Sequence, residues 1–248
     1  MRNFEHHEEL YSGFAQKHFA KPAVVEFRRH HLRRMLRLTG AGANSRVLSL
    51  GSGIGDVELL LARHVGHVLG VDISPRGVAQ AQSSAAEQGL GNAAFAVGDF
   101  ARMTLPPAGF DVVLAVFFLH HVADRLNHEI PESIWRLLKP GGVFYSLDPS
   151  HYRLSGFLGK LLVPSLMKKH QTEEEAELKP SAARRGFASV GFTVAQHYYD
   201  FTSTPLAGLF PSWRTGYLVS RHIDDLLTRI PGLNLLSSNF ELVAKKPL

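Results

Sequence analysis

The chain has 248 residues, 45% of them hydrophobic and 20% charged, with Lys+Arg 27 against Asp+Glu 22 and a formal net charge of +5. That is enough apolar material for one large core with a small appendage, and it excludes wholesale disorder. Cysteine is absent, which excludes a disulfide framework, a thiolate metal site and a cysteine nucleophile.

The opening MRNFEHHEEL lacks the apolar core of a leader. No apolar run approaches the roughly 18 residues of a membrane span. A cytoplasmic protein is expected. Residues 2–38 read as helical: Val25, Leu32 and Leu36 share one stripe, while Arg29, Arg33 and Arg37 recur on another face. Gly40-Ala41-Gly42 closes the segment, so residues 1–40 are expected to form a helical cover on a main domain, 41–248.

From Arg46 short apolar runs alternate with helical stretches. Strands are expected at 47–50, 68–71, 94–97, 111–116 and 143–147, with helices at 56–64, 75–88 and 127–138 and a turn at Lys139-Pro140-Gly141-Gly142. VVLAV and VFYSL are continuous apolar runs, as in strands buried on both faces. Beyond Pro149 two inserts, at about 151–180 and 202–238, interrupt the pattern. The first holds, at 154–167, an apolar broken helix or a lid, and a helix at 173–185 follows into a strand at 192–201. The second contains a helix at 217–229, and a last strand covers 240–244. The pattern predicts an α/β fold: a doubly wound, mostly parallel seven-stranded sheet of Rossmann type, its last strand antiparallel.

The segment Leu48-Ser49-Leu50-Gly51-Ser52-Gly53-Ile54-Gly55 leaves a strand and enters a helix. Glycines there allow a sharp turn and close backbone approach to a ligand. Val68-Leu69-Gly70-Val71-Asp72 then puts a carboxylate at the end of the next strand, about 20 residues on, where it can accept both hydroxyls of a ribose. Asp72 and Ser74 are also candidate helix caps. The spacing is G-x-G-x-G, and Asp56 stands where a dinucleotide motif has its last position. A carboxylate at the helix start opposes a diphosphate. It does not oppose a nucleoside without phosphate, such as S-adenosylmethionine.

VLSLGSGIG, VLGVDIS, GDF at 98–100, FDVVLAVFFLHHV at 110–122 and LKPGG at 138–142 occur in this order. Together they resemble the class I S-adenosylmethionine-dependent methyltransferases of small-molecule type. The resemblance implies that Gly51, Ser52, Gly53 and Gly55 form the loop beside the methionine part. It implies that Asp72 holds the ribose, that Ile73 and Phe100 flank the adenine, and that Asp99 accepts from its amino group. Ala115 and Val116 would offer backbone groups to the methionine part. Ser49 stands where the family usually has an acid that helps bind the cofactor's ammonium, and Asp56 is the nearest substitute. Apolar Val116 and Phe117 replace a polar residue frequent at the end of strand four.

Methyl transfer needs alignment of nucleophile, methyl and sulfur, and an oxygen or nitrogen nucleophile may need a proton removed. His120 and His121 follow the fourth strand, and His151 and Tyr152 follow the fifth, as does Asp148. His151, His120 and Tyr152 are the candidate catalytic residues; His120 and His121 also admit a purely structural role. His6-His7 and His30-His31 are expected to be solvated. Tyr11, Phe14, His18 and Phe19 are candidates to cover the cofactor. The arginines of 28–37 read as a solvated face, as a clamp for an anionic substrate, or as a contact for an anionic membrane surface. Aromatic residues are not interleaved with them, which argues against nucleic acid. No spacing suggests a metal. Phe157, Leu161, Leu162, Phe210, Trp213 and Tyr217 of the inserts could wall an apolar acceptor pocket. The expected activity is methylation of a small hydrophobic or aromatic metabolite, on oxygen before nitrogen or carbon. The rival readings are a catalytically silent adenosylmethionine-binding partner protein and a nicotinamide-dependent oxidoreductase.

Overall fold

The computed structural model describes residues 14–157 and 178–248. Two helices come first, α1 (Phe14–Phe19) and α2 (Pro22–Thr39). Of the stretch 2–38 read as helical, residues 2–13 lie outside the described residues; the remainder is helical with a break before Pro22, which starts α2 at its first turn where its missing N–H costs nothing. Gly40, at φ 69°, ends α2 by donating its N–H to Leu36 O. There follow β1 (Arg46–Leu50), α3 (Glu58–Leu61), β2 (His67–Asp72), α4 (Pro75–Glu87), β3 (Ala93–Val97) and β4 (Phe110–Val116). After a 3-10 turn, Leu119–Arg125, come α5 (Glu129–Leu137), β5 (Leu138–Pro149), α6 (Pro180–Ser189) and β6 (Thr193–Asp200). The chain ends with α7 (Ser203–Leu209), α8 (Arg214–Leu227), a 3-10 turn at Leu233–Leu236 and β7 (Asn239–Lys245).

The seven strands form one sheet in the order β3-β2-β1-β4-β5-β7-β6, and β7 runs antiparallel to both its neighbours. This is the doubly wound arrangement that the alternation of elements implied. The expected turn at Lys139–Gly142 is instead a bulge within β5. Phe110 pairs with Leu138 and Val112 with Val143, so two steps along β4 match five along β5. The helix expected at 56–64 is a single turn, and the insert at 202–238 holds two helices where one was foreseen.

Side chains alternate strictly across the inner strands. Leu48, Leu50, Val113 and Phe144 face α5 and α6, where Ile134, Leu137 and Phe187 cover them. Val47, Val112, Leu114 and Tyr145 face α2 and α3, against Leu32, Met35 and Leu61. Ser49 therefore shares the α3 side of the sheet with Val47.

The layer between α2 and the antiparallel end of the sheet is polar as well as apolar. His30 and His31, expected to be solvated, are turned inward. His31 is fully buried and its Nε2 lies 3.1 Å from the Tyr145 hydroxyl, which itself donates to Glu241 Oε1 at 2.8 Å. That chain leaves the tyrosine oxygen as acceptor and puts the His31 proton on Nε2. Arg34 completes it on Glu241 Oε2 at 2.6 Å. His30 Nδ1 lies 2.9 Å from the Tyr199 hydroxyl. Burial lowers the His30 pKa to about 4 and that of His31 to about 3. Periodicity alone did not reveal this face because tyrosine hydroxyls on β5 and β6 supply its partners.

Gly186 of α6 lies directly against the Leu126 carbonyl, with no room for a Cβ. Gly186→Ala is expected to cost about 1–3 kcal/mol through overpacking. A urea titration should show a lower midpoint with an unchanged slope.

Candidate functional site

The carboxyl ends of the parallel strands are brought level by register. Leu50 pairs with Val71 on one side and Ala115 on the other, which makes the β1/β4 boundary the switch point of the sheet. Beyond Leu50 the loop turns back at once: Gly51 and Ser52 donate their N–H groups to Val71 O at 2.8 and 3.2 Å. Gly51, Gly53 and Gly55 have φ of 69°, 49° and 75°, a region that favours glycine. A Cβ on Gly51 would run into the Phe118 ring, and one on Gly55 would lie 2.8 Å from Phe95. Gly51 thus lets the Phe118 ring pack directly on the loop, and Gly55 lets the loop pack on β3.

Asp72 spans this loop and the next helix. Its Oδ2 accepts from Gly53 N and its Oδ1 from Ser74 N, each at 2.8 Å. Ser74, not Asp72, caps α4 through Gly77 N. Each carboxylate oxygen of the half-exposed Asp72 retains a second lone pair, as a vicinal diol requires. Ile73, 54% exposed, and Val97 extend apolar surface beside it. Asp99 follows β3, accepts from Ala101 N at 3.0 Å and lies 3.5 Å from Arg102. Phe100 is buried in the core against Phe118, with ring centroids 6.0 Å apart. Ala115 is fully buried and Val116 partly so.

At the end of β4 Phe117 takes φ 52°, unusual for an aromatic residue. This directs Phe117 toward Phe27 of α2 and Phe118 toward the glycine loop. His120 follows, with its Nδ1 3.0 Å from Asp148 Oδ1 of β5. The same oxygen accepts the His120 backbone N–H at 3.3 Å. Two donors on one oxygen identify it as an acceptor, so Nδ1 carries the ring proton and Nε2 is left with its lone pair. Asp148 is fully buried, which raises its pKa, and the His120 contacts oppose that rise. The His121 ring lies 4.0 Å from that of His120.

His151 and Tyr152 are exposed and pack edge to face at 5.1 Å. Together with Leu154, Phe157 and Leu236 they line an apolar cleft of about 410 Å³. Leu161 and Leu162 lie outside the described residues, as do Tyr11, His6 and His7. Tyr217 is buried between α2 and α7, not in this cleft. Phe19 stacks on Arg28, 5.4 Å from ring centroid to guanidinium.

Beneath the glycine loop a carboxyl group from the neighbouring helix lies beside Ser49. Ser49 Oγ donates to Glu58 Oε1 at 2.5 Å, and Glu58 is almost completely buried. Asp56, the substitute favoured from sequence, instead pairs with Arg28 Nε at 3.0 Å. The carboxylate thought to repel a diphosphate is therefore partly neutralised. Asp72, which has no basic partner among its hydrogen bonds with the described residues, still gives the edge a negative group suited to a cationic nucleoside. Glu58 could have been found from its place nine residues after Ser49, where the first turn of α3 meets β1.

Burial, and secondarily Asp56, raise the Glu58 pKa to about 7. A raised carboxyl pKa means that the folded state holds the proton more tightly, so stability falls as pH rises from the unfolded value near 4.5 toward 7. Glu58→Gln should remove this slope. The loss of stability between about pH 5 and pH 8 is expected to shrink by roughly 2–3 kcal/mol in urea titrations of the variant.

A family model described as a methyltransferase domain matches residues 47–142, the stretch from β1 to the β5 bulge. A demethylmenaquinone methyltransferase of Lactococcus lactis is 26% identical over 243 residues, covering 84% of this chain and 94% of that protein. An uncharacterised methyltransferase of Bacillus subtilis, YcgJ, is 30% identical over 118 residues, 48% of this chain and 45% of that one. Among solved structures, the putative methyltransferase of Haloferax volcanii, in complex with the Trm112 methyltransferase activator, superposes with a TM-score of 0.68. It shares 21% identity, and the match covers 98% of both chains. Sheet order, glycine loop and strand-end acids agree with these likenesses: residues 47–142 form a methyltransferase domain, and the sheet around it has the fold of the S-adenosylmethionine-dependent methyltransferases.

Proposed function

We propose that this methyltransferase acts on a hydroxyl oxygen of a small hydrophobic or aromatic metabolite, with His120 as the base that removes the hydroxyl proton. The observation that carries this reading is the buried Asp148 holding His120 Nδ1 at the carboxyl edge of the sheet. A neutral imidazole titrates near pH 6.5 and suits proton removal, and a carboxylate behind it fixes the tautomer and stabilises the imidazolium that forms. S-adenosylmethionine supplies a methyl group on a cationic sulfur. Asp72 would hold its ribose, Ile73 and Asp99 its adenine, and the Gly51–Gly53 turn its methionine part.

The rest is done by the chain's own groups. His120 Nε2 takes the proton of the acceptor hydroxyl, which leaves an electron pair on oxygen for the new bond to carbon. The apolar cleft of Tyr152, Leu154, Phe157 and Leu236 receives a lipophilic acceptor and keeps water from competing. His151 at its wall is the second candidate base. Removing a phenolic proton also activates the neighbouring ring carbons. The name of the Lactococcus relative therefore makes demethylmenaquinone one acceptor to try, with carbon as the alternative site.

Asp72→Asn is expected to weaken adenosylhomocysteine binding roughly ten- to a hundredfold, because charged acceptors of the ribose hydroxyls are lost. Calorimetry measures this directly. His120→Gln is expected to lower kcat about 10²–10⁴-fold with little change in that affinity. Asp148→Asn should act in the same direction by releasing the tautomer. A wild-type rate in His120→Gln and a slow His151→Gln would move the base to His151. Mass spectrometry of the product places the methyl group on oxygen or carbon.

A further inference from the structure

Helix α8 is built inside out. Its buried residues include Tyr217, Ser220, Arg221 and Asp224, and its outward side carries Leu218, Val219, Ile223 and Leu226, continued by Ile230. Val219 is 56% exposed, Ile223 48% and Leu226 54%. The inward polar groups have structural work. Asp224 accepts the N–H groups of Thr202 and Ser203 and so ties down the start of α7. Arg221 donates to Tyr199 O at 2.8 Å and pairs with Asp225. Nothing in that inner network explains four large aliphatic side chains facing outward on one helix, with Ile230 exposed just beyond its end.

The surroundings extend this face. Phe210 and Trp213, just before α8, are more than half exposed and touch edge to face. Leu235 and Leu236 follow it, and Leu236 also lines the acceptor cleft. Charge is one-sided. Helix α2 packs beside α8, and the exposed charged side chains of the two helices are Arg29, Arg33, Arg37 and Arg214. Their carboxylates are engaged: Glu26 by Arg29 and Arg214, Asp224 by the α7 cap, Asp225 by Arg221. Arg229 adds a further exposed cation at the end of α8. No helix among the described residues is long and apolar enough to cross a membrane.

An aliphatic helix face with flanking aromatics and a cationic border has the composition of an interfacial anchor. We propose that the outward face of α8 docks on an anionic lipid bilayer, with Ile223 and Leu226 at the centre of the buried patch. The basic border is what favours lipid over a second copy of this chain, since two such faces would bring their arginines together. Docking in this way puts the Leu236 side of the cleft next to the hydrocarbon phase. The proposal does not depend on which acceptor the enzyme methylates.

The test uses the full chain with vesicles of phosphatidylcholine alone and vesicles enriched in phosphatidylglycerol. The wild type is expected to float with the anionic vesicles, far less with the neutral ones, and less at high salt. Its Trp emission should shift to the blue as Trp213 leaves water. Ile223→Ser with Leu226→Ser should weaken flotation at least about tenfold while melting temperature and adenosylhomocysteine affinity stay at wild-type values. Val219→Ser serves as an independent second variant. Arg33→Glu with Arg37→Glu should remove the preference for anionic lipid. Failure of the wild type to bind either vesicle overturns the proposal, as does unchanged binding by the serine variants. A concentration-dependent dimer that the serine pair abolishes, in the absence of vesicle binding, would assign the face to a second copy instead.

Discussion

Asp72 is the point on which the carboxyl edge of this sheet depends. One of its oxygens fixes Gly53 of the loop after β1, and the other fixes Ser74 at the start of α4. The loop after the first strand is thereby clamped to the end of the second. Backbone donation from Gly51 and Ser52 to Val71 O reinforces the same joint. A flexible glycine turn becomes a shaped surface only because a carboxylate holds it from the side.

A second constraint acts from below. The β1 position that faces α3 carries a serine, and its hydroxyl reaches a buried glutamate contributed by the helix. The carboxyl group that the strand lacks is supplied by the element packed on it, and burial raises its pKa to about 7. Arg28 of α2 takes Asp56 out of competition for that place. The amino-terminal helices are thus joined electrostatically to the glycine loop as well as packed on the core.

The acceptor side follows a different logic. His120 lies in the 3-10 turn after β4 and Asp148 in β5, and the parallel register of the two strands sets the separation of their ends. The apolar cleft draws on the segment after β5 and on the turn after α8. The sheet edge gives a fixed His120–Asp148 pair, and inserted segments give a cleft wall that can differ in shape without disturbing it. The polar inner face of α8 serves the same division, because it anchors the insert on β6 and α7 and leaves its aliphatic face outward.

Much was legible in the chain itself. The glycine spacing, Asp72 at a strand end, and apolar runs alternating with helical stretches are local patterns, and local backbone preference plus burial is enough to fix strands, loop and family. Element ends were less legible: the Lys139–Gly142 bulge and the break before Pro22 depend on which neighbour a segment pairs with. The partners of single polar groups were not legible at all. His31 meets Tyr145 across 114 positions, Arg34 meets Glu241 across 207 and His120 meets Asp148 across 28. Helical periodicity marks His30 and His31 as one face of a helix but does not say that tyrosine hydroxyls await them there. Likewise an outward aliphatic face on α8 looks in sequence like any amphipathic helix, because the pattern gives two faces and only packing decides which one is turned to water. Sequence determined the backbone that can bind a nucleoside; tertiary structure decided which charges are neutralised, which histidine is aimed, and which apolar surface is left uncovered.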